Sequence, residues 1–468
     1  MFSSPFIPII LGSLAIFFVG FTIIKGYNAK GVLFTAGVLI LTLAAILGKS
    51  PIKESSGLFF HDISNYIYGL FSNRGSGLGL IIMTLVGFSA YMTHVGANGV
   101  VIYLLSKPLK HIKSPYILLI GSFILGSLMS FAINSATALG VFLMATFFPV
   151  LTRIGITAPS AAAICATTVV VNFSPTSADV VLAAEKSSMA LLPYTFGVMI
   201  PMSVIALIVV GICHFFWQRY CDRQEGLVGQ TASAQNELQH FDKNTQKTAP
   251  LFYCILPFLP ILLIFVFDGR RQIAGTVLPE LSLGAIIVLT IMLTAVLEFF
   301  RSFSAKKTFA GLEVCYQGMS DGFSSVVVLL VSAGVFAHSL GVIGFTDALI
   351  GLVKSFGAAG LAMMLALSLI TFIVSIATGS GNAPFFAFVE LAPQIAAQLG
   401  INPAYLITPM LQISSTGRAM SPVSGVIVAV SGAGKLSPLL LVKRTSVPLL
   451  AGVLVILAYT VFFIPMSV

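Results

Sequence analysis

The sequence predicts an all-α polytopic membrane protein. It reads as an inverted repeat, each half supplying five transmembrane helices (one discontinuous) plus one re-entrant hairpin. Three observations carry this reading. First, the 468 residues are 57% hydrophobic and only 8% charged, with mean hydropathy +1.03. Soluble domains carry about 25% charged residues, and a soluble chain could not hide so much apolar surface. Second, the apolar runs reach the roughly 20 residues a helix needs to cross a bilayer, without the period-two alternation of a transmembrane barrel. Third, glycines, prolines and polar breaks recur at a spacing near 245, and internal repeats of this kind mark secondary transporters.

Composition also excludes function classes. The net charge of +9 comes mainly from lysines and arginines in short loops beside spans, which is a topology signal and no sign of a nucleic-acid partner. Cys165, Cys213, Cys221, Cys254 and Cys315 are scattered with no Cys-x-x-Cys, so neither a metal site nor a disulfide framework is expected. No basic residue precedes Lys25, so the N-terminus reads as a retained first span and not as a signal peptide.

In chain order, spans are expected over about Pro5–Ile24, Gly31–Leu47 and Leu78–Leu105, with a mixed, interfacial stretch before the third. Ser114–Phe131 and Leu139–Leu151 then flank polar Asn134-Ser135-Ala136-Thr137, the pattern of a re-entrant hairpin. Ala158–Val171 runs into Asn172-Phe173-Ser174-Pro175-Thr176-Ser177-Ala178-Asp179, a discontinuous span in which proline breaks the helical ladder. A span over Tyr194–Trp217 closes the first half, domain 1–217. Polar residues 218–248 form a cytoplasmic linker, and 249–468 repeat the order: spans near Leu251–Phe267, Leu283–Phe299 and Phe323–Val353, then a second hairpin. Its tip is Ser375–Pro384; a second break at Ser414–Ser424 follows Pro403–Ile413, and a last span covers Leu439–Phe463.

Within the repeat, Gly96 pairs with Gly341, Gly99 with Gly344 and Gly155 with Gly400, while Ser174-Pro175-x-Ser177 pairs with Ser421-Pro422-x-Ser424. Five crossings per half is an odd number, so the second half is inverted. The side holding Lys25 and Lys30 collects 16 of the 24 basic residues. The positive-inside rule makes it cytoplasmic and puts both termini in the periplasm.

The four polar breaks are where backbone can bind something, because unwound chain survives in a bilayer only against protein or a water-filled cavity. Helix N-termini there suit an anion. The candidates are Ser135, Thr137, Thr378, Ser380 and Asn382 at the tips, and Ser174, Thr176, Ser177, Ser421 and Ser424 at the span breaks. Arg418 is an arginine within a span, a functional-site hypothesis by default. It could hold a carboxylate through its planar fork, pair with Asp179, or snorkel. Asp179, His94 and Glu390 are candidates for coupling or proton transfer, although His94 and its near-equivalent His338 also fit as satisfied core histidines. Gly75-Ser76-Gly77-Leu78-Gly79 lacks the full dinucleotide pattern. A serine hydrolase built on Ser380 and His338 would leave the repeat unexplained, so no catalytic residue is assigned.

Several long strings resemble the DcuC-type anaerobic C4-dicarboxylate transporter family, a branch of the ion transporter superfamily. They are Ala90-Tyr91-Met92-Thr93-His94-Val95-Gly96-Ala97-Asn98, Pro175-Thr176-Ser177-Ala178-Asp179-Val180-Val181, Thr378-Gly379-Ser380-Gly381-Asn382-Ala383-Pro384-Phe385, Ser421-Pro422-Val423-Ser424-Gly425-Val426 and Val442-Lys443-Arg444-Thr445-Ser446-Val447-Pro448. The resemblance covers nearly the whole chain. It implies an inner-membrane carrier of succinate, fumarate or malate, working in anaerobic growth as a homodimer among membrane lipids. It implies no cofactor beyond a coupling Na+ or H+. Sodium carriers of the superfamily have Ser-Asn-Thr at the hairpin tips; this sequence does not, so the coupling ion stays open.

Overall fold

The computed structural model describes residues 6–52, 55–106, 115–226, 249–267, 272–273, 276–277, 279–354 and 359–467. Among them the chain is helical apart from a two-residue antiparallel ladder pairing Gln272 with Val277. Six helices are long and apolar enough to cross a membrane, or seven if one bent pair counts as a single span.

The helices sort into two bundles, each drawing on both halves of the sequence. The first contains α1 (Phe6–Ile24), α2 (Ala29–Ile46), α3 (Phe59–Ser76), α4 (Leu78–His94) and α5 (Ala97–Ser106). From later in the chain it takes α11 (Leu259–Val266), α12 (Leu283–Ser302), α13 (Ala305–Gly322), α14 (Val328–Val342) and α15 (Phe345–Lys354). Its two tightest contacts, α4 on α13 and α2 on α14, depend on missing side chains. A Cβ on Gly318 would lie 2.9 Å from the Cα of Gly87, and one on Gly37 would lie 2.8 Å from the backbone nitrogen of Phe336. Small residues allow such approaches, and dispersion then holds the helices together where no hydrophobic force acts between them.

The second bundle holds α6 (Pro115–Met129), α7 (Ala136–Arg153), α8 (Ala158–Thr167), α9 (Ala178–Lys186) and α10 (Ile200–Gln224). It is completed by α16 (Ala359–Thr378), α17 (Asn382–Phe388), α18 (Ala392–Leu399), α19 (Pro403–Arg418), α20 (Gly425–Ala433) and α21 (Pro438–Phe463). Local chemistry sets the starts of its key helices. Gly155 and Gly400 turn the chain with φ of +95° and +65°. Thr157 and Asn402 then cap α8 and α19 by accepting from the backbone N–H groups of Ser160 and Ala404. Pro159 and Pro403 sit in the first turns, where a missing N–H costs nothing.

Four expectations need correction. The stretch expected to be an interfacial segment contains the 18-residue helix α3, bent by 46° from α4. The third span of the first half stops at His94; Gly96, at φ +83°, ends it and α5 restarts. The span expected from Phe323 begins much earlier, because α13 and α14 run through a π turn as one 38-residue helix, Ala305–Val342. Hydropathy hides α13 because Lys306, Lys307, Glu313 and Asp321 lie on it. What it buries is a stripe of small residues, Thr308, Gly311, Cys315, Gly318 and Gly322. Helix α10 likewise continues to Gln224, into the stretch expected to be linker, and 227–248 lies outside the described residues.

Candidate functional site

All four expected polar breaks are breaks in helix: 130–135 between α6 and α7, 168–177 between α8 and α9, 379–381 between α16 and α17, and 419–424 between α19 and α20. They meet one another. Asn134 of the first tip donates to the carbonyl of Thr176 at 3.2 Å. The first tip also touches the second break, since a Cβ on Gly425 would lie 3.0 Å from the Thr137 hydroxyl. The second tip packs on the same break: Gly379, at φ +70°, leaves room for Ser424, whose backbone nitrogen would be 2.7 Å from a Cβ there. Ser414 donates to the carbonyl of Gly381, and Ser375 donates to the carbonyl of Ser414 at 2.5 Å.

Arg418 closes α19 at this junction. Its Nη2 donates to the carbonyl of Val169 at 2.6 Å, a group freed by the first break. Its Nη1 would be 3.3 Å from a Cβ on Gly381, so glycine makes room for the guanidinium. Among the described residues its Nε is buried with no partner, and so are the hydroxyls of Ser421 and Ser424. Three donors therefore lie unspent within seven residues of chain, from the end of α19 through the break that follows it. Buried polar groups are nearly always bonded, so such a cluster marks a place where a ligand would complete the set. The ion pair with Asp179 is not made. Asp179 instead accepts from Asn172, Ser177 and the backbone N–H of Val180.

The remaining candidates divide. Ser135 caps α7 by accepting from the N–H of Ala138, and Thr137 beside it is exposed. Ser174 and Thr176 bond each other at 2.9 Å. Thr378 donates back to Val374, Ser380 accepts from the N–H of Ala383, and Asn382 is exposed. All belong to the junction. His94 and Glu390 do not. The His94 ring lies against Gly311 of α13 in the first bundle. Glu390 accepts from Arg74 at 2.9 Å and from Lys186 at 2.7 Å. His338 is a satisfied core histidine, stacked on Tyr66 and bonded to the carbonyl of Pro51.

Sequence reasoning missed Gln412, which bonds both backbone groups of Asn172, and Ser415, which accepts from the Asn172 amide. It also missed a cluster where α8, α10 and α21 meet. There the fully buried Arg444 pairs with Asp222 and Glu225, each at 2.5 Å, and donates to Ser160. Asp222 in turn accepts from Thr157 and Ser160. The available signal was Gln218, Asp222 and Glu225 at helical spacing directly after the apolar run that ends at Trp217. Glu225 lies just past the end of α10. Burial raises its pKa, but bonds from Arg444 and Lys443 outweigh this and hold the carboxyl below its ordinary value.

Residues 7–465 match the family described as C4-dicarboxylate anaerobic carrier, DcuC. The chain is 48% identical to the anaerobic C4-dicarboxylate transporter DcuC of Escherichia coli K12 over 463 residues, covering 98% of this chain and 97% of that protein. It is 46% identical to the probable anaerobic C4-dicarboxylate transporter DcuC of Vibrio cholerae, covering 98% of each. Among solved structures it is similar to Neisseria gonorrhoeae MtrF, described as illuminating a class of antimetabolite efflux pumps. The TM-score is 0.61 at 13% identity, covering 92% of this chain and 94% of that one. The Alcanivorax borkumensis YdaH transporter is similar at TM-score 0.59 and 15% identity, covering 94% and 100%. At these identities the likeness is one of fold.

Proposed function

This chain belongs to the C4-dicarboxylate anaerobic carrier family, and from that premise we propose that it carries succinate, fumarate or malate across the bacterial inner membrane by alternating access, driven by a cation gradient. It is a transporter and not an enzyme. The observation that carries the site is the convergence of four helix breaks on Arg418, whose Nε and the neighbouring Ser421 and Ser424 hydroxyls are buried and unpartnered. One substrate carboxylate would take the guanidinium and these hydroxyls. The other would lie toward Thr137 and Ser135, where the start of α7 faces the start of α20. Two helix N-termini and one guanidinium would offset much of the cost of burying a dianion. The Thr378–Asn382 tip would form the second wall, and the Ser174–Ser177 segment the floor. Asp179 would be the coupling group.

We read the chain as an inverted repeat. Helix bounds support this: α3 and α13 begin at 59 and 305, α8 and α19 at 158 and 403, α9 and α20 at 178 and 425. Left-handed glycines end α4 and α14 at Gly96 and Gly344. In this reading the second bundle moves against the first, both termini are periplasmic, and the protein works as a homodimer.

Labelled succinate uptake into proteoliposomes, with sodium and proton gradients imposed separately, tests substrate and coupling together. Competition by fumarate and malate but not by monocarboxylates or amino acids is expected. Uptake unaffected by any C4-dicarboxylate would overturn the reading. Counterflow separates a carrier from a channel, alkaline phosphatase fusions test the termini, and cross-linking in membranes tests the dimer.

A further inference from the structure

Asn172 stands in the middle of the unwound segment 168–177, so its backbone N–H and C=O have no helical partner. Gln412, in the adjacent turn of α19, takes both. Its Oε1 accepts from the Asn172 N–H at 2.9 Å, and its Nε2 donates to the Asn172 carbonyl at 2.6 Å. The amide orientation follows from the bonds, since the N–H needs an acceptor and the carbonyl a donor. Ser203 of α10 adds a bond to the same carbonyl at 3.1 Å and accepts from Gln412 at 3.0 Å. All three residues are buried, with Gln412 at 0% exposure. The backbone so fixed carries a side chain that bridges the site: Asn172 Nδ2 donates to Asp179 and, at 3.1 Å, to Ser415.

We propose that Gln412 is the positioning residue of the first break, clamping Asn172 by both backbone groups so that the unwound segment and α19 move as one unit. The clamp joins residues 240 apart in sequence and so ties the unwound segment of the first half to helix α19 of the second. An amide does this at any pH, because the task needs one acceptor and one donor at fixed spacing on a planar group. Leucine has similar bulk and offers neither. Glutamate keeps the acceptor and turns the donor into a second acceptor aimed at a carbonyl, unless it is protonated. The titratable groups around this position are Asp179 beyond Asn172, Arg418 further along α19, and Tyr194, which bonds Thr408 one turn away.

The clamp rests on the carrier reading for its consequence in transport, so the test has a readout that does not need substrate. In Gln412→Leu, hydrogen exchange across 168–177 should rise while exchange in α10 and α19 stays at wild-type rates, and succinate uptake should fall by about tenfold or more. Unchanged exchange across 168–177, or uptake within about twofold of wild type, would overturn the proposal. Should the wild type carry no C4-dicarboxylate, the carrier reading fails and the exchange result still decides the clamp. If the leucine variant does not insert, Gln412→Glu serves. Its uptake relative to wild type at the same pH should climb as pH is lowered from about 8 to about 5, as the carboxyl gains its proton. A level or falling ratio would overturn the clamp.

Discussion

Arg74, on α3 of the first bundle, donates to Glu390 of the second bundle at 2.9 Å, across the boundary between the two. Lys186 meets the same carboxylate oxygen at 2.7 Å, and Arg74 reaches on to Glu185 at 3.3 Å. Glu390 is 9% exposed and Arg74 17%, so water screens the pair only weakly. Removing Glu390 takes from Lys186 its carboxylate partner, and removing Arg74 leaves Glu390 with Lys186 alone. Glu390→Gln and Arg74→Gln should each lower the melting temperature in detergent. The double variant should be no worse than the poorer single, with a coupling of roughly 1–3 kcal/mol. Additive losses would mean that the two side chains do not act together.

Arg418→Ala should lower succinate uptake on the order of 100-fold. Arg418→Lys should recover only a small part of it, because an ammonium keeps the charge and loses the planar fork. Expression and detergent melting of both variants guard against misfolding. An alanine variant that transports like wild type would leave Arg418 with at most a structural role, as the donor to Val169.

Gly379 and Gly432 make a matched pair. A Cβ at Gly379 would lie 2.7 Å from backbone atoms of Ser424, at a φ of +70°, so Gly379→Ala adds strain of about 1–3 kcal/mol to a clash that neither backbone can relieve. It should melt lower and transport poorly. Gly432 lies in α20 with nothing within 4 Å of its Cβ position. Gly432→Ala should be neutral or gain up to about 1 kcal/mol from helix propensity. Equal behaviour of the two would contradict the close packing of tip on break.

Glu225 gives the acid side of the stability profile. Its folded pKa is held below the ordinary 4.5, so its contribution is in full force above that value. The contribution is lost as pH falls through the lower folded value. Melting temperature should therefore drop as pH falls from about 5 through the lower folded value, and Glu225→Gln should show a shallower drop over the same interval. Identical slopes would assign the acid sensitivity elsewhere.

How much of this was legible in the sequence differs by element. The breaks at 130–135, 168–177, 379–381 and 419–424 could be read directly, because serine, threonine, glycine and proline inside apolar runs conflict with a continuous span. Helix α13 could not, because its buried stripe is small and not hydrophobic. Arg418 stood out as a lone charge, yet its partner did not: Asp179 was the nearest opposite charge in the argument, whereas the structure gives Arg418 a backbone carbonyl. Gln412 carries no charge and no motif. Its role exists only because Asn172, 240 residues earlier, presents two unsatisfied backbone groups to it.

The ionic cluster on Arg444 bears on how the protein is made. Arg444 answers Asp222 and Ser160, which precede it by 222 and 284 residues. At about 5–20 residues per second of synthesis, the acid and hydroxyl wait roughly ten to sixty seconds in the nascent chain before their guanidinium exists. Through that interval the ends of α8 and α10 cannot bury against each other without stranding a carboxylate, so the early bundle stays ajar. Helix α21, made long after α8 and α10, is the one that locks it.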